Sequence, residues 1–125
     1  MLSSQKLKAF IPTANPQLAK EFYMNILGLK LVSEDEYALE FEGNGTLLRI
    51  TTVDNLEPHP FTVLGWNVNG LPVLVKSLVD RGVEFEKYDH FEQDDLGIWT
   101  SPNKAKVVWF KDPDGNLLSL TEYED

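Results

Sequence analysis

Cysteine is absent from this 125-residue chain. That excludes disulfides and thiolate ligation of zinc, and it fits a reducing cytoplasm. Histidine is nearly absent, occurring only at His59 and His90. No stretch approaches the roughly 20 apolar residues of a membrane span. The N-terminal MLSSQKLKAF lacks the apolar run of a secretory signal. Basic residues are few, eleven against twenty acidic ones, for a net charge of −9. Such a surface repels phosphate backbones and disfavours nucleic acid. The same charge would suit a cationic ligand, although its plainer role is to keep the protein soluble. No GxSxG, P-loop or dinucleotide fingerprint occurs, and no serine is placed beside a histidine. A cytoplasmic protein with neither nucleic acid nor membrane as partner is the expectation.

What is present is a repeat. GTLLRIT (45–51) returns 70 residues later as GNLLSLT (115–121), with four positions identical and one Ile/Leu exchange. The exchange with the largest chemical consequence is Arg49 for Ser119. Around each copy the order of elements is the same. KLKAFIPT (6–13) reads as a strand. Asn15 and Pro16 then open a helix as N-cap and first-turn proline. Its apolar face is Leu18, Phe22 and Ile26, flanked by Ala19 and Leu27, and Gly28 ends it. LKLVSE, YALEFEG and TLLRITTV follow as strands. In the second half FTVLGWNV (61–68) is strand-like, and a helix runs from Leu71 to Arg81 with Leu74, Val75, Leu78 and Val79 as its stripe and Gly82 closing it. GVEFEKY, GIWT, KVVWFKD and NLLSLTEY are four further strand candidates. Gly28 matches Gly82 at an offset of 54 and Gly45 matches Gly115 at 70, so 16 extra residues lie in DHFEQDDLGIWTSPNKA.

The fold class is therefore α+β: two tandem β-α-β-β-β units, about 6–53 and about 61–123, within a single domain over 1–125. Each unit is too small to bury both faces of its sheet, so the two are expected to share a core. His59, between two prolines in NLEPHPF, falls in the linker. His90 lies in the acidic YDHFEQDD, where a metal at His90, Glu92, Asp94 and Asp95 competes with solvated loop charge, the favoured reading. DPDG (112–115) is a turn, with Pro113 presetting φ and Gly115 tolerating positive φ.

EFYMNILGLKL (21–31), WFKDPDGNLLSL (109–120) and the paired units resemble the vicinal oxygen chelate superfamily, which includes glyoxalase I, extradiol dioxygenases and the fosfomycin- and bleomycin-resistance proteins. The resemblance covers about residues 6–123. It implies half-barrel units around an open cavity, helices outside a cupped mixed sheet, and frequent pairing of chains, so a homodimer is expected. It also implies metal-ligand places on the first and last strand of each unit, which fall on Lys8, Arg49, Val63 and Ser119. None is a customary ligand, and a register shift of one residue supplies none. Protonated lysine and arginine offer no lone pair, and valine has none. The expectation is a member with no metal, no cofactor and no assigned catalytic residue.

Alternation places Phe10, Pro12, Leu47 and Thr51 with Lys8 and Arg49 on the cavity side. It adds Val63, Gly65 and Asn67, then Leu117, Ser119 and Thr121. Val107 and Trp109 face inward by the family resemblance, and the direction of Trp99 is left open. Tyr37, Leu39 and Phe41 share one face of their strand and complete the candidate pocket, whereas Trp66 is assigned to the core. Against the pocket stands a purely structural reading, in which Lys8 reaches water and Arg49 pairs with Glu40 or Glu42. The leading functional expectation is metal-independent binding of an unknown small molecule, as in sequestering resistance proteins. The alternatives are a glyoxalase- or dioxygenase-like enzyme with an unconventional metal site, or with Lys8 as base or Arg49 as clamp, and an interaction module whose cavity is filled by side chains such as Phe41 and Trp109. Net acidity argues for a cationic ligand and Lys8 with Arg49 for an anionic one, so ligand charge stays open.

Overall fold

The chain divides into two units, Met1–Pro58 and a second beginning at His59, and the computed structural model describes residues 1–124. The first unit contains β1 (Lys8–Thr13), β2 (Lys30–Glu34), β3 (Ala38–Gly43) and β4 (Thr46–Thr52). They form a mixed sheet ordered β1-β4-β3-β2, with β1 parallel to β4 and the remaining pairs antiparallel. Alternation gives the sheet one apolar face: Ile11, Leu39, Phe41, Leu48 and Ile50 are all buried.

That face is covered by α1 (Pro16–Glu21) and the turn that follows it. Asn15 caps the helix as its sequence position suggests, its Oδ1 accepting from the Leu18 N–H at 3.2 Å, with Pro16 in the first turn. The expected Leu18–Phe22–Ile26 stripe does not form. At Phe22 the backbone widens into a π-helical turn over Phe22–Ile26, closed by Leu27 N–H donating to Phe22 O. The wider turn swings Phe22 and Tyr23 inward together with Ala19, while Leu18 stays 47% exposed. The gain is aromatic burial. The two rings meet edge to face at 5.1 Å, and Tyr23 reaches Phe41 at 6.1 Å, a larger apolar area than a leucine and an isoleucine would bury there.

The second unit repeats the plan with β5 (Thr62–Asn67), α2 (Leu71–Asp80), β6 (Trp99–Thr100), β7 (Lys106–Lys111) and β8 (Leu117–Glu122). Its sheet is ordered β5-β8-β7-β6, again with the first and last strands parallel. α2 buries Leu71, Val75 and Leu78, whereas Val79 is 50% exposed and leaves the expected stripe. Its N-terminus has no local side-chain cap. Instead both oxygens of Glu122, on β8, accept from the first amides of the helix: Gly70 N–H at 2.7 Å and Leu71 N–H at 3.0 Å. These bonds, the one from Leu71 foremost, hold the Glu122 carboxyl below its ordinary pKa.

GVEFEKY does not become a strand. Its tie to the sheet is a bridge between Phe85 and Phe110, with Glu86 N–H donating to Trp109 O at 2.8 Å. The edge of β7 is shared, Phe85 meeting it at Phe110 and β6 meeting it at Lys106 and Val107. The matched glycines behave alike, Gly45 at φ +88° and Gly115 at φ +87°. In DPDG the organiser is Asp112. Its buried carboxylate accepts from the Asp114 and Asn116 N–H groups and from Asn116 Nδ2, each at 2.9 Å.

Candidate functional site

Each sheet has a face turned away from its own helix, and the candidate residues are read there. In the first unit Phe10, Arg49 and Glu40 stand in one cross-strand row, with Lys8 beside Leu47. Lys8 Nζ (2.8 Å) and Arg49 Nη1 (3.0 Å) both engage the same oxygen, Glu40 Oε2. Lys8 Nζ also stands 5.8 Å from the centre of the Phe10 ring. The two cations hold the Glu40 carboxyl below its ordinary pKa, Lys8 contributing most and Arg49 next. Arg49 thus makes the strand-joining contact weighed for it from the sequence.

Leu39 and Phe41 do not belong to this face. The register puts Glu40 opposite Arg49, and alternation then turns Leu39 and Phe41 to the helix side, where both are buried. Tyr37 precedes β3 and is 65% exposed, so the proposed face of Tyr37, Leu39 and Phe41 breaks up. Phe10 is 62% exposed and shares the row of Arg49.

The second unit's corresponding face is aromatic. One row is Gly65, Ser119 and Trp109, and the next is Asn67, Thr121, Val107 and Trp99. The direction of Trp99 is thereby settled: it stands with Val107 and Trp109, ring centres 6.0 Å from the latter. Ser119 Oγ lies so close over Gly65 that a Cβ there would meet it at 2.8 Å. Val63 sits at a register shift between Thr62 and Leu64, so alternation does not assign it to either face.

The inserted loop folds onto these tryptophans. Phe91 stacks parallel on Trp109, ring centres 5.2 Å apart and planes 4° from parallel, and lies 4.6 Å from Trp99. Tyr88 meets Trp109 edge to face at 5.5 Å, and His90 lies 4.3 Å from Phe91. Burial, aided by the nearby Glu86 charge, raises the Tyr88 hydroxyl pKa. The loop holds its shape through Gln93. Its amide nitrogen donates to Glu86 O (2.9 Å) and Gly97 O (2.8 Å), and its amide oxygen accepts from Tyr88 N–H (2.7 Å). Asp94, weighed as a metal ligand, turns Oδ1 to the Leu96 and Ile98 N–H groups, each at 2.9 Å. YDHFEQDD is therefore more than solvated charge. The signal for this was the pair of aromatics three residues apart inside an acidic insertion, with a glutamine that could satisfy backbone groups in a loop.

The donor chemistry at Lys8, Arg49, Val63 and Ser119 does not fit a divalent ion. The two cations are committed to Glu40, valine has no lone pair, and one hydroxyl is a weak ligand. Among the described residues no group of three or more His, Asp or Glu side chains is arranged to hold a metal, and no helix is long and apolar enough to cross a membrane.

Two β-α-β-β-β modules in tandem are the plan of the glyoxalase-like class of fold. The chain belongs to the glyoxalase/bleomycin resistance protein/dioxygenase superfamily, whose family model matches residues 7–120. Among solved structures it is similar to an antibiotic-binding protein from Streptomyces sp. CB03234, at TM-score 0.75 and 21% identity over 99% of each chain. A glyoxalase/bleomycin resistance protein/dioxygenase from Alicyclobacillus acidocaldarius gives TM-score 0.74 at 21% identity, covering 98% of this chain and 93% of that one. A lactoylglutathione lyase from Agrobacterium tumefaciens gives 0.72 at 16%, covering 95% and 93%. At these identities the likeness concerns the fold. No curated protein matches the sequence.

Proposed function

We propose that this chain is a metal-independent small-molecule binding protein of the sequestering, resistance type, acting as a homodimer in the cytoplasm. The observation that carries the reading is the half-buried wall of Tyr88, Phe91, Trp99 and Trp109 on the second unit's sheet. A sheet face that served only as core would bury such rings fully. Here they stay partly open, flanked by the small polar side chains of Ser119, Thr121 and Asn67, which is the usual make-up of a ligand site. The antibiotic-binding relative of the same fold supports the same class of function. Lys8 and Arg49, tied to Glu40, favour a structural role over general-base or clamp chemistry.

The test uses chelator-treated protein. Calorimetric titration with Ni²⁺, Zn²⁺, Mn²⁺ and Fe²⁺ should give no binding tighter than about millimolar (about −4 kcal/mol). A screen of aromatic antibiotics read by tryptophan fluorescence should give hits at about micromolar Kd (about −8 kcal/mol) that chelator does not alter. Tight one-per-chain metal binding would sink the reading and put an enzyme in its place. Sedimentation checks the dimer.

A further inference from the structure

The sequence holds two Asn-Gly steps, Asn44–Gly45 in the first unit and Asn69–Gly70 in the second. Such a step is prone to deamidation, because glycine has no Cβ to hinder attack of its backbone nitrogen on the asparagine side chain. By shape the two are equally open. Both asparagines are exposed. Both glycines sit at positive φ, +88° for Gly45 and +69° for Gly70, and among the described residues a Cβ added at either would meet nothing within 4 Å.

What separates them is the hold on the attacking nitrogen. That nitrogen must first lose its proton, and an N–H donating to a carboxylate gives it up less readily, since the amide anion would face a second negative charge. Gly45 N–H donates to Glu42 Oε1 at 2.7 Å. The acceptor lies three residues away, on the same hairpin end, and one side-chain rotation releases the nitrogen of this exposed two-residue turn between β3 and β4. Gly70 N–H also donates at 2.7 Å, but to Glu122 Oε2, whose other oxygen takes Leu71 N–H at 3.0 Å. Glu122 belongs to β8 and Leu71 is fully buried. Freeing the Gly70 nitrogen therefore breaks two charge-assisted bonds at once and leaves the first amides of α2 uncapped.

We infer that Asn44 is a site of spontaneous deamidation in the folded protein, and that Glu122 shields Asn69 from the same reaction. At Asn44 the Gly45 nitrogen gives its proton to a solvent base and bonds to Asn44 Cγ. The side-chain nitrogen takes up a proton from solvent and leaves as ammonia. Water then opens the succinimide at either carbonyl carbon, giving aspartate or isoaspartate, so water is consumed and ammonia released. Isoaspartate carries the chain through its side-chain carboxyl and adds a methylene to the turn that sets Gly43 opposite Thr46 and Glu40 opposite Arg49. The charged face of the first unit is thus the part that ages, and the unit with the aromatic wall is spared.

The experiment ages the whole protein for days in mildly alkaline buffer and reads both sites by peptide mass spectrometry, with electron-transfer fragmentation to separate isoaspartate from aspartate. A sample unfolded in urea runs in parallel. Each folded rate is divided by that site's rate in urea, which removes the effect of neighbouring sequence. The ratio at Asn44 should exceed that at Asn69 by at least about tenfold, the factor that one further charge-assisted hydrogen bond is worth. Glu122→Ala should raise the Asn69 ratio about tenfold or more and leave Asn44 unmoved. Should that variant unfold, both ratios rise together and Glu122→Gln decides. It keeps one carbonyl acceptor, and a rise at Asn69 alone supports the shield.

Equal ratios at the two sites in the wild-type protein, or a faster Asn69, overturn the inference. So does an Asn69 ratio that stays where it was when Glu122 is replaced in a folded variant.

Discussion

The two units share a frame and differ in what they write on it. Across corresponding rows the first unit places Phe10, Arg49 and Glu40, and the second places Gly65, Ser119 and Trp109. One row is closed by ion pairs to a single carboxylate oxygen. The other has two small residues beside an indole, and a loop then brings Phe91 onto that indole. The buried faces hardly differ in kind: Ile11, Leu48, Ile50, Leu39 and Phe41 in one, Leu118, Leu120, Val108 and Phe110 in the other. The core that specifies the fold and the face that can meet a ligand are thus set by alternate residues of the same strands. They can diverge without disturbing each other.

The largest expected effect separates the two faces of one sheet. Phe41→Ala should cost about 3–5 kcal/mol in urea unfolding, because a fully buried ring leaves a cavity. Phe10→Ala, at 62% exposure, should change stability by less than about 0.5 kcal/mol. Similar losses for both would mean that the faces of this sheet have been assigned wrongly.

Next comes the second unit's loop. Gln93→Leu deletes three hydrogen bonds to backbone groups of Glu86, Tyr88 and Gly97 and should cost about 1–3 kcal/mol locally. Hydrogen exchange should rise across 86–98 and tryptophan emission should shift, while the first unit stays protected. An unchanged loop in that variant would mean that the glutamine is not what shapes the wall.

The smallest effect is in acid. Glu40 and Glu122 have folded-state pKa values below their ordinary ones, so the folded state binds fewer protons than the unfolded one. Their contribution is complete above the unfolded carboxylate value, about pH 4.3, and is lost as pH falls through the depressed folded values. Stability should therefore decline below about pH 4.3, and Glu40→Gln should flatten part of that decline. Charge at Glu40 is irrelevant to stability if that variant's acid profile overlays the wild type.

Much of the frame was legible because it depends on local chemistry. The repeated Gly-x-Leu-Leu phrase, Asn15 before Pro16 and the strand alternation are short-range signals of the frame, and the family resemblance was carried by EFYMNILGLKL (21–31) and WFKDPDGNLLSL (109–120). Four features escaped, most of them because they depend on partners distant in sequence. The cap of α2 comes from Glu122, 51 residues beyond Leu71, and no reading of the helix itself would reveal it. The π turn at Phe22 reflects competition between two aromatics and two aliphatics for one buried surface. The error over Leu39 and Phe41 was one of parity. The strand was rightly found, but which of its two faces met the helix was decided by the Glu40–Arg49 register. Trp99 could be oriented only once its pairing with Val107 was known.

The central claim is that ligand meets the second unit's aromatic face without a metal. The chain has three tryptophans, and they sort by face: Trp99 and Trp109 on the open side, Trp66 on the row of Leu120, which is buried on the helix side. The most direct measurement is a nitrogen-15 NMR titration of the three indole N–H signals with an aromatic antibiotic that quenches tryptophan fluorescence in the screen, in the presence of chelator. The Trp99 and Trp109 signals should move together with one affinity while Trp66 and the Arg49 side-chain signal stay still. Movement of Arg49 with the two open-face indoles unmoved would contradict it and transfer the site to the charged face of the first unit.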